Sequence, residues 1–137
     1  VRLSALRDSG ILVLSSGNVV HNLRLIAWDK PTAGADWARR FDEAAVAQMT
    51  ADPSGVLKLV EHPDYAKAVP TPDHFIPLLY TAGIAAAEGC TQALIQGYSL
   101  GSLSMTSYNV GPELSLPCEA AGAAALPAGV PPEQTNI

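Results

Sequence analysis

The sequence predicts an α/β fold in which a mixed sheet is flanked by helices. Residues 11–14 form a continuous apolar run that is typical of a strand buried on both faces. Residues 36–49 repeat apolar side chains at helical spacing, and residues 93–95 and 99–108 have strand patterns. Helices and strands therefore share one chain, which is short for an α/β enzyme with a complete buried active site.

The first predicted elements end close to a candidate site. Residues 1–8 have an amphipathic helical pattern, and Gly10 follows in the position of a glycine that ends a helix. The predicted strand then runs into the turn-forming residues 15–18, and His21 lies just beyond them. Because ligands collect at the carboxyl ends of strands in α/β proteins, we expect chemistry at this turn.

Two further helices are predicted in the middle of the chain. In residues 36–49 the apolar face consists of Trp37, Phe41, Ala44, Ala45 and Met49, and the solvated face of Arg39, Arg40, Asp42 and Glu43. A shorter helix is predicted over residues 53–60, with Asp52 as its cap and Pro53 at its first position.

The next helix has a strong start signal. Thr71 is a suitable N-cap, Pro72 takes the first helical position, and Asp73 places an acidic side chain in the first turn. Pro77 removes a backbone donor, so we expect either a kink or a helix that becomes regular only there. The pattern stops near Gly89.

The last predicted elements are strands and a tail. Residues 93–95 and 99–108 are expected to form a hairpin or adjacent strands around Gly97 and Gly101. Residues 111–137 are rich in proline and alanine, which predicts an irregular tail.

Composition excludes several classes of protein. Among the 137 residues, 48% are hydrophobic and 15% charged, which suggests that a partner chain or a missing segment covers apolar surface. The net charge of −5 and the scattered basic residues argue against nucleic-acid binding. No apolar stretch approaches the roughly 18 residues of a membrane span, and no signal-peptide pattern is visible, so we expect a cytoplasmic location. Cys90 and Cys118 are too few and too far apart for a disulfide scaffold or a zinc knuckle.

Three histidines are candidates for chemistry. His21 and His74 each lie at the end of a predicted element, where a side chain can face a cleft, whereas His62 reads as a solvent-side loop residue. A structural role, with the imidazoles bonded to backbone or to Asp73, remains open for both. Spacing alone supplies no complete metal motif, because an oxygen-activating centre commonly needs two histidines and a carboxylate.

Three segments carry a resemblance to a known family. Residues 16–22, 70–80 and 97–105 resemble the C-terminal half of class III extradiol ring-cleavage dioxygenases, nearest to the DOPA 4,5-dioxygenase-type branch. The resemblance implies that residues 1–110 are the C-terminal portion of a larger α/β dioxygenase domain. The chain begins without Met and inside a helical pattern, so we expect a piece of a longer polypeptide or a separate subunit.

The resemblance also implies a chemistry. In that family a non-haem ferrous ion, sometimes replaced by zinc, binds catechol and dioxygen together, and the ring is opened beside one hydroxyl. Two metal-binding histidines of the family lie in the N-terminal half, so a missing half or partner chain is expected to complete the site. His74 corresponds by chain order to the last metal ligand and His21 to an acid/base histidine, although both are metal-adjacent and the two roles could be exchanged.

The remaining site residues and two alternative functions stay open. The predicted substrate-contacting side chains are Ser16, Asn18, Asn22 and Thr71, with turn formation or helix capping as their alternative role. A zinc-dependent hydrolase half-site would use the same histidines around a metal-bound hydroxide. An inactive remnant or partner-binding subunit would use them only for packing.

Overall fold

The computed structural model describes residues 3–114, in which helices predominate over short strands. The α-helices are α1 (Ser4–Asp8), α2 (Asp36–Ala51), α3 (Tyr65–Ala68) and α4 (Ile76–Glu88). The strands are β1 (Thr91–Ile95), β2 (Tyr98–Ser99), β3 (Leu103–Ser104) and β4 (Ser107–Val110). Three 3-10 helices cover Leu23–Leu25, Pro53–Glu61 and Pro72–His74. Among these described helices, none is long and apolar enough to cross a membrane.

Helix α2 supplies much of the core. Phe41, Ala45 and Met49 lie along one face and are completely buried, which confirms the predicted apolar face. The Phe41 ring lies 5.9 Å from the ring of Tyr65 and 6.4 Å from that of Phe75, measured between centroids. Removing side chains of this size from water contributes about 1.5–3 kcal/mol each.

The helix predicted over residues 53–60 is present, but it is a 3-10 helix (Pro53–Glu61) with Pro53 in its first turn. Its buried residues are Val56 and Leu59. The Asp52 carboxylate accepts a hydrogen bond from the Ser54 hydroxyl and pairs with Lys58 at 3.6 Å.

The proline-marked segment changes helix type as it crosses Pro77. Residues 72–74 form a 3-10 turn, and regular α-helix begins at Ile76, so that Pro77 lies in the first turn, where no intrahelical donor is required. At the other end Gly89 adopts φ +75°, a left-handed conformation that ends α4. Both predicted boundaries are therefore confirmed.

The buried strand predicted over residues 11–14 is wrong. This segment has neither helix nor strand, and Ile11, Leu12 and Leu14 are 49%, 79% and 84% exposed. A strand buried on both faces needs paired neighbours, and in the described part of the chain no strand lies beside it. Its apolar side chains consequently face open space.

The strands form two small antiparallel sheets, β1 with β4 and β2 with β3, and not the single mixed sheet that was predicted. The predicted strand over residues 99–108 is interrupted because Leu100 and Gly101 have φ +52° and +75°. These left-handed residues reverse the chain between β2 and β3. The mixture of helices and strands agrees with the predicted α/β class. Most of the predicted tail, residues 115–137, lies outside the described residues.

Candidate functional site

The two predicted site histidines lie against each other. The rings of His21 and His74 are stacked, with centroids 3.8 Å apart and planes inclined by 11°. The two residues are 53 positions apart in the sequence, so tertiary structure brings them together. Any metal or proton chemistry of the described residues would use these two adjacent imidazoles.

The backbone around His21 is held from two sides. The His21 N–H donates to the carbonyl of Ala68 at 2.9 Å, and His21 forms an isolated antiparallel bridge with Leu103. The preceding Val20 is completely buried; its N–H donates to the Ser104 hydroxyl at 3.2 Å, and its carbonyl accepts from the Ser104 N–H at 3.1 Å. The imidazole thus projects from a fixed segment just beyond the turn-forming residues 15–18.

His74 is positioned by a close backbone approach. It ends the 3-10 turn of residues 72–74, and its side chain is 39% exposed. A Cβ atom built on Gly17 would lie 2.5 Å from the His74 carbonyl oxygen and 3.0 Å from Pro77 Cγ. Only glycine therefore fits at position 17 without a shift, a requirement that sequence analysis missed because Gly17 reads as an ordinary turn residue.

The electrostatics of the pair favour a neutral His21. Partial burial and the neighbouring His74 lower the pKa of His21, and the opposing effect of Asp73 is smaller. The pKa of Asp73 is also lowered, chiefly by a hydrogen bond from the Thr71 hydroxyl. Asp73 Oδ2 lies 3.4 Å from His74 Nε2. At neutral pH the site therefore holds an uncharged His21 imidazole beside an ionised carboxylate.

The predicted substrate-contacting residues have different surroundings. Asn22 is 7% exposed; its Nδ2 donates to the Lys67 carbonyl, and its Oδ1 accepts from the Arg24 N–H. Asn18 Nδ2 donates to the Ser104 carbonyl at 2.6 Å. Both amides thus hold backbone in place, the alternative that the sequence left open. Ser16 and Thr71 are exposed.

His62 belongs to a separate cluster. Its Nδ1 accepts from the Asp64 N–H at 3.1 Å, and its ring edge packs on Phe41 at 5.4 Å between centroids. Asp64 in turn accepts two hydrogen bonds from Arg40, at 2.9 and 3.0 Å. This arrangement accounts for His62 as a structural residue.

A buried carboxylate was missed by sequence analysis. Asp42, predicted on the solvated face of α2, is 2% exposed; its Oδ2 accepts from the hydroxyls of Thr106 at 2.7 Å and Tyr98 at 3.3 Å. Burial raises the pKa of Asp42, and burial beside this carboxylate raises the pKa of Tyr98 to about 12. The helical pattern gave no signal because the hydroxyls that compensate Asp42 come from residues distant in the sequence, Tyr98 in β2 and Thr106 between β3 and β4.

The described residues supply only part of a possible metal donor set. Within residues 3–114, no group of three or more His, Cys, Asp or Glu side chains is arranged to hold a metal ion. His21 and His74 are two imidazoles, and a third ligand would have to come from elsewhere.

Comparisons with known proteins point to one group. No family model matches the chain. A protein of Escherichia coli strain K12 named 4,5-DOPA dioxygenase extradiol is 36% identical over 114 residues. The similarity supports a DOPA dioxygenase-like family. A crystal structure of an uncharacterized protein from E. coli K12 superposes with a TM-score of 0.73 and 36% identity.

The similarity covers unequal shares of the proteins compared. It includes 80% of this chain in both comparisons, but only 42% of the DOPA dioxygenase-like relative and 47% of the crystal structure. The chain therefore spans less than half the length of the relatives it matches.

Proposed function

We propose that this chain contributes His21 and His74 to a non-haem Fe(II)-dependent extradiol dioxygenase, an oxidoreductase that uses O2 to open the ring of a catechol. The stacked pair of histidines carries the proposal. The similarity to the E. coli 4,5-DOPA dioxygenase extradiol supports the reaction class. The activity is expected only in the complete protein, in which a missing N-terminal half or a partner chain adds the remaining ligands.

The donor set is compatible with part of such a centre. Imidazole nitrogens bind both iron and zinc, and oxygen-activating iron commonly sits in a facial set of two histidines and one carboxylate with open positions. Zinc could replace iron on the same ligands. When bound, a ferrous ion would supply the redox chemistry between dioxygen and the catechol.

The surroundings of the two histidines support different roles for them. We assign His74 as the metal ligand, because Asp73 lies 3.4 Å from its Nε2 and a carboxylate at one ring nitrogen orients an imidazole and raises its basicity. We assign His21 as the acid/base. Its lowered pKa keeps the imidazole neutral and able to accept the proton of a catechol hydroxyl, which it returns later in the reaction.

Ser16 and Thr71 are the proposed polar contacts to substrate, because both are exposed, Ser16 precedes Gly17 at the His74 carbonyl, and the Thr71 hydroxyl bonds to Asp73. Asn18 and Asn22 are proposed to act at the same place by holding the His21 segment, because their amides are bonded to backbone.

The test compares histidine variants of the complete protein. His74→Ala should lose bound metal and oxygen uptake with a catechol, whereas His21→Phe should keep the metal and lose at least 10²-fold in turnover, the usual contribution of an acid/base group. His62→Gln is the matched control and should retain both. Equal metal loss in the first two variants would contradict the division of roles, and catechol turnover without oxygen uptake would contradict the dioxygenase itself.

A further inference from the structure

A buried carboxylate joins helix α2 to the antiparallel strands β2 and β3. Asp42 is 2% exposed, and its Oδ2 accepts hydrogen bonds from the hydroxyls of Thr106 at 2.7 Å and Tyr98 at 3.3 Å. The Ser104 hydroxyl also hydrogen-bonds to the Asp42 carboxylate. Tyr98 and Ser104 are paired residues of β2 and β3. One side chain of α2 therefore holds both strands of this small sheet.

The Ser104 hydroxyl has a second hydrogen bond, which leads towards His21. Its oxygen accepts from the Val20 N–H at 3.2 Å. The backbone of Ser104 holds the same segment, since its N–H donates to the Val20 carbonyl and its carbonyl accepts from the Asn18 amide. Ser104 and Val20 are 1% and 0% exposed, so these bonds lie in the low-dielectric core. A continuous buried chain of hydrogen bonds thus runs from Asp42 to the residue before His21.

The carboxylate determines how the Ser104 hydroxyl is oriented. A serine hydroxyl has one proton and two lone pairs, and it rotates to suit its partners. With Asp42 as acceptor, the proton points to the carboxylate and a lone pair stays directed at the Val20 N–H. Without that acceptor the hydroxyl is free to turn, and the Val20 N–H loses a fixed partner in the core.

The chain of hydrogen bonds ends at the backbone that carries the acid/base candidate. The His21 N–H donates to the Ala68 carbonyl, and His21 bridges to Leu103, the residue before Ser104. Beyond these bonds the His21 ring stacks on His74, with 3.8 Å between ring centroids. Such a geometry tolerates little displacement, because a shift of about 1 Å in a reacting group can lower a rate about 100-fold.

We propose that Asp42 is a positioning residue for His21, acting through the Ser104 hydroxyl and the Val20 peptide. In this role it fixes the backbone from which the His21 imidazole meets His74, and it does not touch the substrate. The catalytic consequence rests on the proposed function, which makes His21 the acid/base group. The position of the ring does not depend on the reaction.

The hydroxyl partners of Asp42 separate positioning from general stabilisation. Thr106 makes the shorter hydrogen bond to the carboxylate, and within residues 3–114 its hydroxyl has no bond to the His21 segment. Ser104→Ala and Thr106→Val each remove one hydroxyl from the same carboxylate, but only Ser104→Ala also removes a partner of the Val20 N–H. Both variants lose stability, whereas displacement of His21 is expected in Ser104→Ala alone.

Turnover per bound metal ion in the complete protein tests the proposal, with catechol itself as the probe and oxygen uptake as the readout. Ser104→Ala and Asp42→Leu should each lower kcat about tenfold or more and change KM less than about twofold, since orientation is lost and binding is kept. Asp42→Asn should stay within about twofold of the unsubstituted protein, because its amide oxygen still accepts from the Ser104 hydroxyl. Thr106→Val is the matched control and should do the same. The double variant Asp42→Leu/Ser104→Ala should be no slower than the slower single variant, because both changes break one chain of bonds.

Proton NMR of the His21 ring gives a readout that needs no catalysis. In the metal-free protein its ring-current shifts should move in Ser104→Ala and Asp42→Leu and stay unchanged in Thr106→Val and Asp42→Asn. If Asp42→Leu does not fold, Ser104→Ala against Thr106→Val decides alone. Equal losses of turnover in those two variants, or unmoved His21 signals in Ser104→Ala, would overturn the proposal and leave the dioxygenase. The expected shifts without oxygen uptake in any protein would remove the proposed function and leave the positioning.

Discussion

Two neighbouring apolar stretches of one segment, residues 11–14 and residues 19–20, differ in burial. Leu12 and Leu14 are mostly exposed, whereas Val19 and Val20 are 2% and 0% exposed. Val20 exchanges hydrogen bonds with Ser104, whereas within residues 3–114 no backbone hydrogen bond involves residues 12–18. The apolar stretch that adjoins a paired residue is therefore buried, and the stretch without a paired neighbour among the described residues is not.

The largest expected effect follows from replacing one residue in each part by the same acid. Val20→Asp should reduce the free energy of unfolding by about 3 kcal/mol or more, since it places an unpaired charge in the core. Leu12→Asp should change it by less than about 0.5 kcal/mol in the isolated chain, because that side chain is in solvent. Chemical denaturation of both variants measures the contrast. Similar losses in both would show that residues 11–14 are packed in solution.

A smaller effect is expected at the junction of the two parts. Gly17→Ala places a methyl group 2.5 Å from the His74 carbonyl oxygen, so one segment must move, at a cost of about 1–3 kcal/mol. The same movement should separate the His21 and His74 rings, which changes the ring-current shifts of their protons in NMR spectra. Ser16→Ala, at the exposed neighbouring position, is the control and should leave the free energy of unfolding and the histidine proton shifts unchanged. A Gly17→Ala protein with unaltered histidine shifts would argue against this close approach.

Helix ends could be predicted from the sequence because their signals are local. Pro72, Pro77 and Gly89 act through backbone geometry within one turn, and the structure begins and ends α4 where these residues indicate. The interruption at Leu100 was missed because a left-handed non-glycine residue has no comparable local signal. Residues 11–14 were misjudged because an apolar run gives no local signal of whether a neighbouring strand pairs with it, and within residues 3–114 none does.

The candidate site also combines features that have a local sequence signal with features that have none. His21 and His74 were identified from their motifs, but the stacking of their rings and the close approach of Gly17 to the His74 carbonyl are tertiary contacts without a local pattern. Asp42 was placed in solvent because its spacing along α2 matches that of charged neighbours. Its burial depends on hydroxyls at Tyr98 and Thr106, more than 50 residues away in sequence.

The smallest expected effect is the pH dependence of stability that the buried Asp42 introduces. Burial raises the pKa of Asp42 above its unfolded value, so the folded state favours the protonated acid. The stability that this acid contributes is complete below the unfolded pKa and falls as pH rises through the folded one. Asp42→Asn mimics the neutral acid and removes this dependence. Its stability relative to the unsubstituted protein should therefore increase between about pH 4 and neutrality.

Asp64→Asn supplies a control of opposite sign. The Arg40 guanidinium lowers the pKa of Asp64, so its contribution is present above the unfolded pKa and is lost as pH falls through the folded one. This variant should be less stable than the unsubstituted protein at neutral pH, and the gap should close on acidification. Urea unfolding of both variants at a series of pH values measures the two slopes. Parallel slopes would contradict the burial of the Asp42 carboxyl group beside the hydroxyls of Tyr98 and Thr106.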